Sequence, residues 1–175
     1  GERYSGCPTW YPPRLADGRA LDAIFPESHW PLKVMSFKSN LMSSSTTVIE
    51  RLHHVKPVGM VAINPKDGKR FGLEHGDIAR ITTPGGSIEA QVSVLPGVMS
   101  GVIAMEHGYG HKELGARQHW LDGEPMALKP FVASGVNQND IGFADPTRSI
   151  PGVWLDWVTG ASVRQGIPAT IRKVV

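Results

Sequence analysis

The sequence has 175 residues, 41% of them hydrophobic, and a formal net charge of +2 without a run of like charges. That size suits one domain able to bury roughly 70% of the surface its unfolded chain exposes, and the even charge excludes the clustered basic face of a nucleic-acid protein. A single cysteine, Cys7, excludes an internal disulfide and any iron–sulfur or all-cysteine metal site made within the chain.

No apolar stretch approaches the roughly 18 residues of a membrane span, and 20 glycines with 14 prolines point to many turns and few long helices. The start, Gly1-Glu2-Arg3, has neither an initiator Met nor a signal sequence, so the chain is expected to be a fragment or a processed product.

Residues 1–33 are broken too often for a helix: Cys7-Pro8, Pro12-Pro13, Ala16-Asp17-Gly18, Phe25-Pro26 and Trp30-Pro31. They are predicted to form an irregular lead-in arm, with Trp10, Tyr11, Phe25 and Trp30 as anchors. Leu32 to Phe37 predicts a short strand. A polar run follows, Lys38-Ser39-Asn40 and then Ser43-Ser44-Ser45-Thr46-Thr47. On composition this is first a linker or surface loop; its hydroxyls also suit a phosphate or a sugar. His53-His54 is expected to face solvent.

Gly59 to Ile63 is an apolar run short enough for a strand buried on both faces. Asn64-Pro65-Lys66-Asp67 then opens a short helix: Asn64 caps it, Pro65 fits its first position, and Asp67 complements its dipole. The helix should end near Arg70 or Phe71, with Gly72 left-handed. Ile78 to Thr83 predicts a strand and Pro84-Gly85-Gly86 a turn. The return strand alternates Ile88, Ala90, Val92 and Val94 against Glu89, Gln91 and Ser93. Pro96-Gly97 ends it, Val102 to Met105 forms another strand, and a loop-rich stretch after Gly115 leads to a last strand over Pro168 to Val174. Short, closely spaced strands with little helix argue for a β-barrel or sandwich rather than a doubly wound sheet.

Reactive motifs are missing. There is no Gly-x-Ser-x-Gly elbow and no phosphate-binding glycine loop, and Cys7 lies in the arm with no basic residue closer than Arg3. His107, His111 and His119 invite a zinc reading. Gly108 and Gly110, however, would each cost about 1 kcal/mol in the helix that such spacing requires. His107-Gly108-Tyr109-Gly110-His111 makes better sense as a loop at a strand end, either a binding loop or merely a tight one. Gly135-Val136-Asn137-Gln138-Asn139-Asp140 is either a plain turn, which composition alone favours, or a set of carboxamides able to match the edge of a heterocycle.

Asn64-Pro65-x-Asp67, Gly72-Leu73-x-x-Gly76-Asp77, the alternating hairpin and Pro96-Gly97-Val98, in this order and spacing, resemble the molybdopterin dinucleotide-binding domain. That domain ends the catalytic subunit of dimethyl-sulfoxide-reductase-type molybdoenzymes. The His-Gly-Tyr-Gly-His loop is similar to the branch that handles sulfur and arsenic oxyanions. The resemblance covers about residues 34–175 and implies a mainly β fold, a double-psi β-barrel of about six strands with short helices and long loops.

It also implies a cofactor face for molybdopterin guanine dinucleotide, made by Lys38, Ser39, Asn40, Ser43, Ser45 and Thr46, by His107, Gly108, Tyr109 and His111, and by Asn137, Asn139 and Asp140. The 64–67 motif is read as structural. By the same resemblance the larger polypeptide is a respiratory oxidoreductase of the periplasm holding a bis-dinucleotide molybdenum centre. Its partners are a membrane anchor and an iron–sulfur electron-transfer subunit. The molybdenum ligand, the iron–sulfur cysteines and two further cofactor domains are expected upstream. The piece in hand is expected to be non-catalytic alone and free of cofactor. Two other classes compete: a stand-alone interaction module on the same barrel, on which the two polar stretches would scatter, and a small metalloenzyme using His107, His111 and His119.

Overall fold

In the computed structural model, residues 6–7, 9–150 and 152–174 are described; the Gly1-Glu2-Arg3 start and Pro8 of the predicted arm lie outside them. Six strands close into a barrel. They are β1 (Leu32–Phe37), β2 (Val61–Ile63), β3 (Ile78–Thr83), β4 (Gly86–Val94), β5 (Val102–Glu106) and, after a two-stranded hairpin of β6 (Trp120–Leu121) and β7 (Glu124–Pro125), β8 (Ile167–Lys173). The ring runs β1-β5-β2-β4-β3-β8 and returns to β1. Two parallel pairs, β1 with β5 and β2 with β4, lie on either side of the antiparallel β2–β5 contact, while β8 bridges β3 and β1. This is the mainly β, double-psi barrel that the resemblance implied.

Alternation explains which side chains fill it. Along β4, Ala90 and Val92 are buried and Ile88 and Val94 half-buried, whereas Glu89 faces solvent and pairs with Arg80 of β3. The parallel strands are buried most thoroughly: all three residues of β2 are inaccessible. Leu32, Val34, Ile63, Ile81, Ile103 and Ala169 complete the centre.

Helix α1 (Leu21–Ile24) is one turn, α2 (Glu50–Val55) precedes β2, and α3 (Pro65–Phe71) follows it. The α3 capping matches the prediction. Asn64 Oδ1 accepts from Lys66 N–H at 2.9 Å, Gly72 is left-handed (φ 64°, ψ 36°), and Leu73 N–H donates to the Gly68 carbonyl at 2.8 Å. Asp67 does more than complement a dipole. Its buried carboxylate accepts from Ser100 Oγ at 3.0 Å and from Gly101 N–H at 2.7 Å, fixing α3 to the start of β5.

Residues 14–25 join the core. Leu15 and Leu21 are buried, Ala16 N–H donates to Asp145 Oδ2 at 2.7 Å, and the indole of Trp154 donates to the Arg14 carbonyl at 2.8 Å. Of the four expected anchors, Phe25 packs edge-on against Phe143 with centroids 5.1 Å apart, and Trp30 lies 6.1 Å from Phe25. Trp10 and Tyr11 are 79% and 58% exposed and anchor nothing within the described chain.

Candidate functional site

Three distant segments meet where β5 leaves the barrel. Their approach depends on two glycines. Gly110 has φ 65°, and a Cβ there would stand 2.5 Å from Asn137 N; Gly108 has φ 96°, and its Cβ would press to 3.3 Å from Met42 Cβ. These glycines were expected to admit a ligand to the backbone. In the fold they admit neighbouring chain segments, bringing the 107–111 loop against 42–47 on one side and 136–137 on the other. Backbone bonds finish the junction, with Gly110 N–H to Ser134 O at 2.7 Å and His111 N–H to Val132 O at 2.9 Å.

The cleft left between them is small, about 160 Å³, and lined by Ser44, Thr47, Glu106, His107, Gly108, Tyr109, His111, Val136, Asn137, Gln138, Asn139 and Arg164. A shallower depression of about 320 Å³ shares His111, Val136 and Asn137 and adds Lys112 and Asp140, which pair at 2.5 Å.

The hydroxyl run is no linker. Thr46 Oγ1 accepts from Ser43 N–H at 2.8 Å and donates to the Leu41 carbonyl at 3.0 Å; Thr47 is buried and its hydroxyl donates to the Ser43 carbonyl at 3.0 Å. Ser43 and Ser45 share a bond at 3.0 Å. Local hydroxyl-to-backbone bonding has turned a polar string into a rigid turn. Ser44 and Thr47 thus reach the cleft, while Ser43, Ser45, Thr46, Lys38, Ser39 and Asn40 do not line it. Ser39 Oγ instead accepts from Leu41 and Met42 N–H.

His53 is also a correction. It was expected in solvent but is 2% exposed, with Nε2 donating to the Thr47 carbonyl at 2.8 Å and its ring against Phe131 and Tyr109 at 4.9 and 5.7 Å. His54 is exposed, as expected. Tyr109 is covered by Gly59, where a Cβ would fall 2.4 Å from the ring, and its hydroxyl donates to the Lys56 carbonyl at 2.9 Å. Burial, and then the Glu106 carboxylate nearby, push this phenol up to about 12, so it stays a neutral donor.

His107 is held below the ordinary imidazole range by burial first and then by the charges of Lys38 and Arg164; its Nε2 lies 3.0 Å from Ser36 Oγ. His111 is lowered by burial and then by His53. Both present neutral rings at neutral pH. On the facing wall, Asn137 Oδ1 accepts from Asn139 N–H at 2.9 Å, capping a 3-10 turn over Gln138–Ile141, and Gln138 Nε2 donates to the Arg164 carbonyl at 2.5 Å. The turn reading of this cluster is correct, and the turn still faces the cleft. His107, His111 and His119 do not converge: among the described residues no group of three or more His, Cys, Asp or Glu could hold a metal ion, and His119 pairs with Glu113 at 3.1 Å.

Sequence reasoning missed Ser44, Thr47, Glu106, Gln138 and Arg164 as lining residues. Gln138 lay inside the cluster it singled out, and Glu106 immediately precedes the glycine loop, so adjacency was the available signal. Arg164 had none, because only the return of the chain along β8 brings it there.

A six-strand double-psi barrel with a polar cleft at a strand end is the architecture of a cofactor-binding domain. Residues 36–152 match the family described as "Molydopterin dinucleotide binding domain", and the chain belongs to it. It is 66% identical over 174 residues to the tetrathionate reductase catalytic polypeptide (TtrA-type, the first of that enzyme's subunits) of Salmonella typhimurium strain LT2, covering 99% of this chain and 17% of that protein. The Ser36–Thr46 region and the loop-rich end resemble the same polypeptide when read in the sequence alone. Identity is 34% over 120 residues to the corresponding tetrathionate reductase polypeptide of Archaeoglobus fulgidus (63% of this chain, 11% of the relative). It is 28% over 149 residues to ArrA, the molybdopterin-containing subunit of the arsenate respiratory reductase of Chrysiogenes arsenatis (78% and 16%). The chain therefore spans less than a fifth of the length of each of these relatives. Acetylene hydratase from Pelobacter acetylenicus has the same fold, with a TM-score of 0.65 at 16% identity over 98% of this chain and 22% of its own.

Proposed function

We propose that this chain is the C-terminal domain that binds molybdopterin guanine dinucleotide in the catalytic subunit of a tetrathionate reductase, or of a closely related reductase of sulfur or arsenic oxyanions. The observation that carries this is the convergence of Ser44 and Thr47, the 107–111 loop and Asn137–Asn139 on one cleft of a barrel belonging to a dinucleotide-binding family. The residues suit such a ligand. Carboxamides and neutral imidazoles offer paired donors and acceptors to a heterocycle edge, Ser44 and Arg164 offer donors to phosphate oxygens, and a buried oxygen of Glu106 lacks a partner. When bound in the whole enzyme, the cofactor supplies a molybdenum centre for oxidoreduction; this chain binds and orients one part of it and excludes water there.

Residues 34–175 are the binding domain in this proposal and 1–33 the segment leading into it. The remaining domains of the catalytic polypeptide close the cleft, and an iron–sulfur protein with a membrane anchor passes electrons to it in anaerobic respiration at the periplasmic face. A complete small-molecule site holds roughly 300–1,000 Å³, so a cleft of about 160 Å³ is one wall of a larger site. The chain alone should bind guanine nucleotides weakly. Titration of the labelled chain with GDP, followed by NMR, should move the amides of 107–111 and 137–139; shifts confined to other faces of the barrel would refute the assignment.

A further inference from the structure

Glu106 is placed where alternation does not ordinarily bury a carboxylate. It follows Met105 on β5, and both are buried, Met105 among the barrel core and Glu106 on the opposite face with its side chain 1% exposed. Its register opposite Phe37, and the His107 N–H to Phe37 O bond at 2.9 Å, hold the strand end rigidly. One carboxylate oxygen, Oε2, is paired with Lys56 Nζ at the end of α2, and Lys56 is itself tethered by the Tyr109 hydroxyl on its carbonyl. The other oxygen, Oε1, is buried without a hydrogen-bond partner, in a residue that lines the cleft. A buried carboxylate oxygen left bare is costly, typically by about 1–3 kcal/mol or more, so the site is built for a donor the chain does not supply. Lys56 already balances the charge. The missing group is therefore a neutral N–H rather than a cation, and a lone carboxylate outside any cluster of three ligands does not make a metal site.

We propose that Glu106 reads the 2-amino group of a 2-aminopyrimidin-4-one ring, the edge common to guanine and pterin, with Oε1 as acceptor and the carboxamides of Asn137 and Gln138 facing the rest of the ring. This rests on the cofactor reading above and makes Glu106 a specificity-determining residue of that site. Lys56 and Tyr109 act as positioning residues: they hold the carboxylate from behind and do not touch the ligand.

The test uses two matched pairs of probes on the labelled chain. GDP is compared with IDP, which lacks the 2-amino group, and pterin-6-carboxylate with lumazine-6-carboxylate, which carries an oxygen there. Dissociation constants come from NMR titration, with the Glu106 side-chain carboxyl carbon as a local reporter. The amino-bearing member of at least one pair should bind about ten-fold more tightly and alone should move the Glu106 carbon. Discrimination within the GDP pair assigns Glu106 to the nucleobase, and within the pterin pair to the pterin. In E106Q the ratio should fall to about one. Equal binding within both pairs, or a ratio that survives E106Q, overturns the inference while shifts at 107–111 and 137–139 leave the cofactor reading standing. Absence of shifts there with all four probes overturns both. Should E106Q not fold, the wild-type ratios and the carboxyl reporter still decide.

Discussion

Protonating His107 or His111 places charge where burial has removed the water that would solvate it. At His107 Lys38 and Arg164 already lie close, and at His111 His53 does. Both rings titrate below the ordinary value of 6.5 in the native state. Between that value and their lowered ones the unfolded chain binds protons that the folded chain refuses, so stability falls as pH drops. Urea unfolding should give a lower free energy at pH 5 than at pH 7, and His107→Gln with His111→Gln should shrink that difference. An unchanged difference in the double variant would show that other groups govern it. Asp77, held below 3.8 mainly by its bond from Lys173, adds stability that is lost only as pH falls below that ordinary value, outside this window. His53 teaches a related lesson. Two adjacent histidines look like solvent-facing residues, and only the tertiary partners Thr47, Tyr109 and Phe131 make one of them a core side chain.

Elements with local signals were legible in the sequence. β1 and β3 fall on their predicted ranges, and α3 begins and ends where Asn64-Pro65 and Gly72 place it, because caps and left-handed glycines act within a few residues. α2 was not foreseen: Glu50–Val55 is too short to display a period, and what holds it is His53 beneath it. The β6–β7 hairpin was missed although Asp122-Gly123, with φ of 50° and 84°, is a strong two-residue turn signal. The candidate site was legible only in part. The 107–111 loop and the asparagine cluster announced themselves by composition, but which hydroxyls of 43–47 faced outward depended on Thr46 and Ser43 consuming their bonds internally. Asp67 belongs to this scale as well. Removing its carboxylate in Asp67→Ala should cost about 2 kcal/mol by leaving Gly101 N–H and Ser100 unpartnered, measured by chemical denaturation, and amide exchange should quicken at the start of β5. A loss below a few tenths of a kcal/mol would mean α3 is held to β5 by packing alone.

Across the whole molecule, the segment read as an arm shares the barrel's core. Leu15 is fully buried, and Phe25, Phe143 and Trp154 stack edge-on in sequence, with centroids 5.1 and 5.5 Å apart. Leu15→Asp should therefore destabilise the entire chain by about 3 kcal/mol or more. Its unfolding should remain a single transition, with tryptophan fluorescence and far-UV circular dichroism changing together. Separate transitions would mark residues 14–30 as an independent unit. Ring closure carries a different consequence. β8 is the only element that joins β3 to β1, and it comes far along the chain from both. During synthesis, those two strands keep bare hydrogen-bonding edges until Ile167–Lys173 has left the ribosome. A nascent chain stalled before that point presents open templates for intermolecular pairing, so premature termination in the final loop should yield inclusion bodies rather than a slightly shortened barrel.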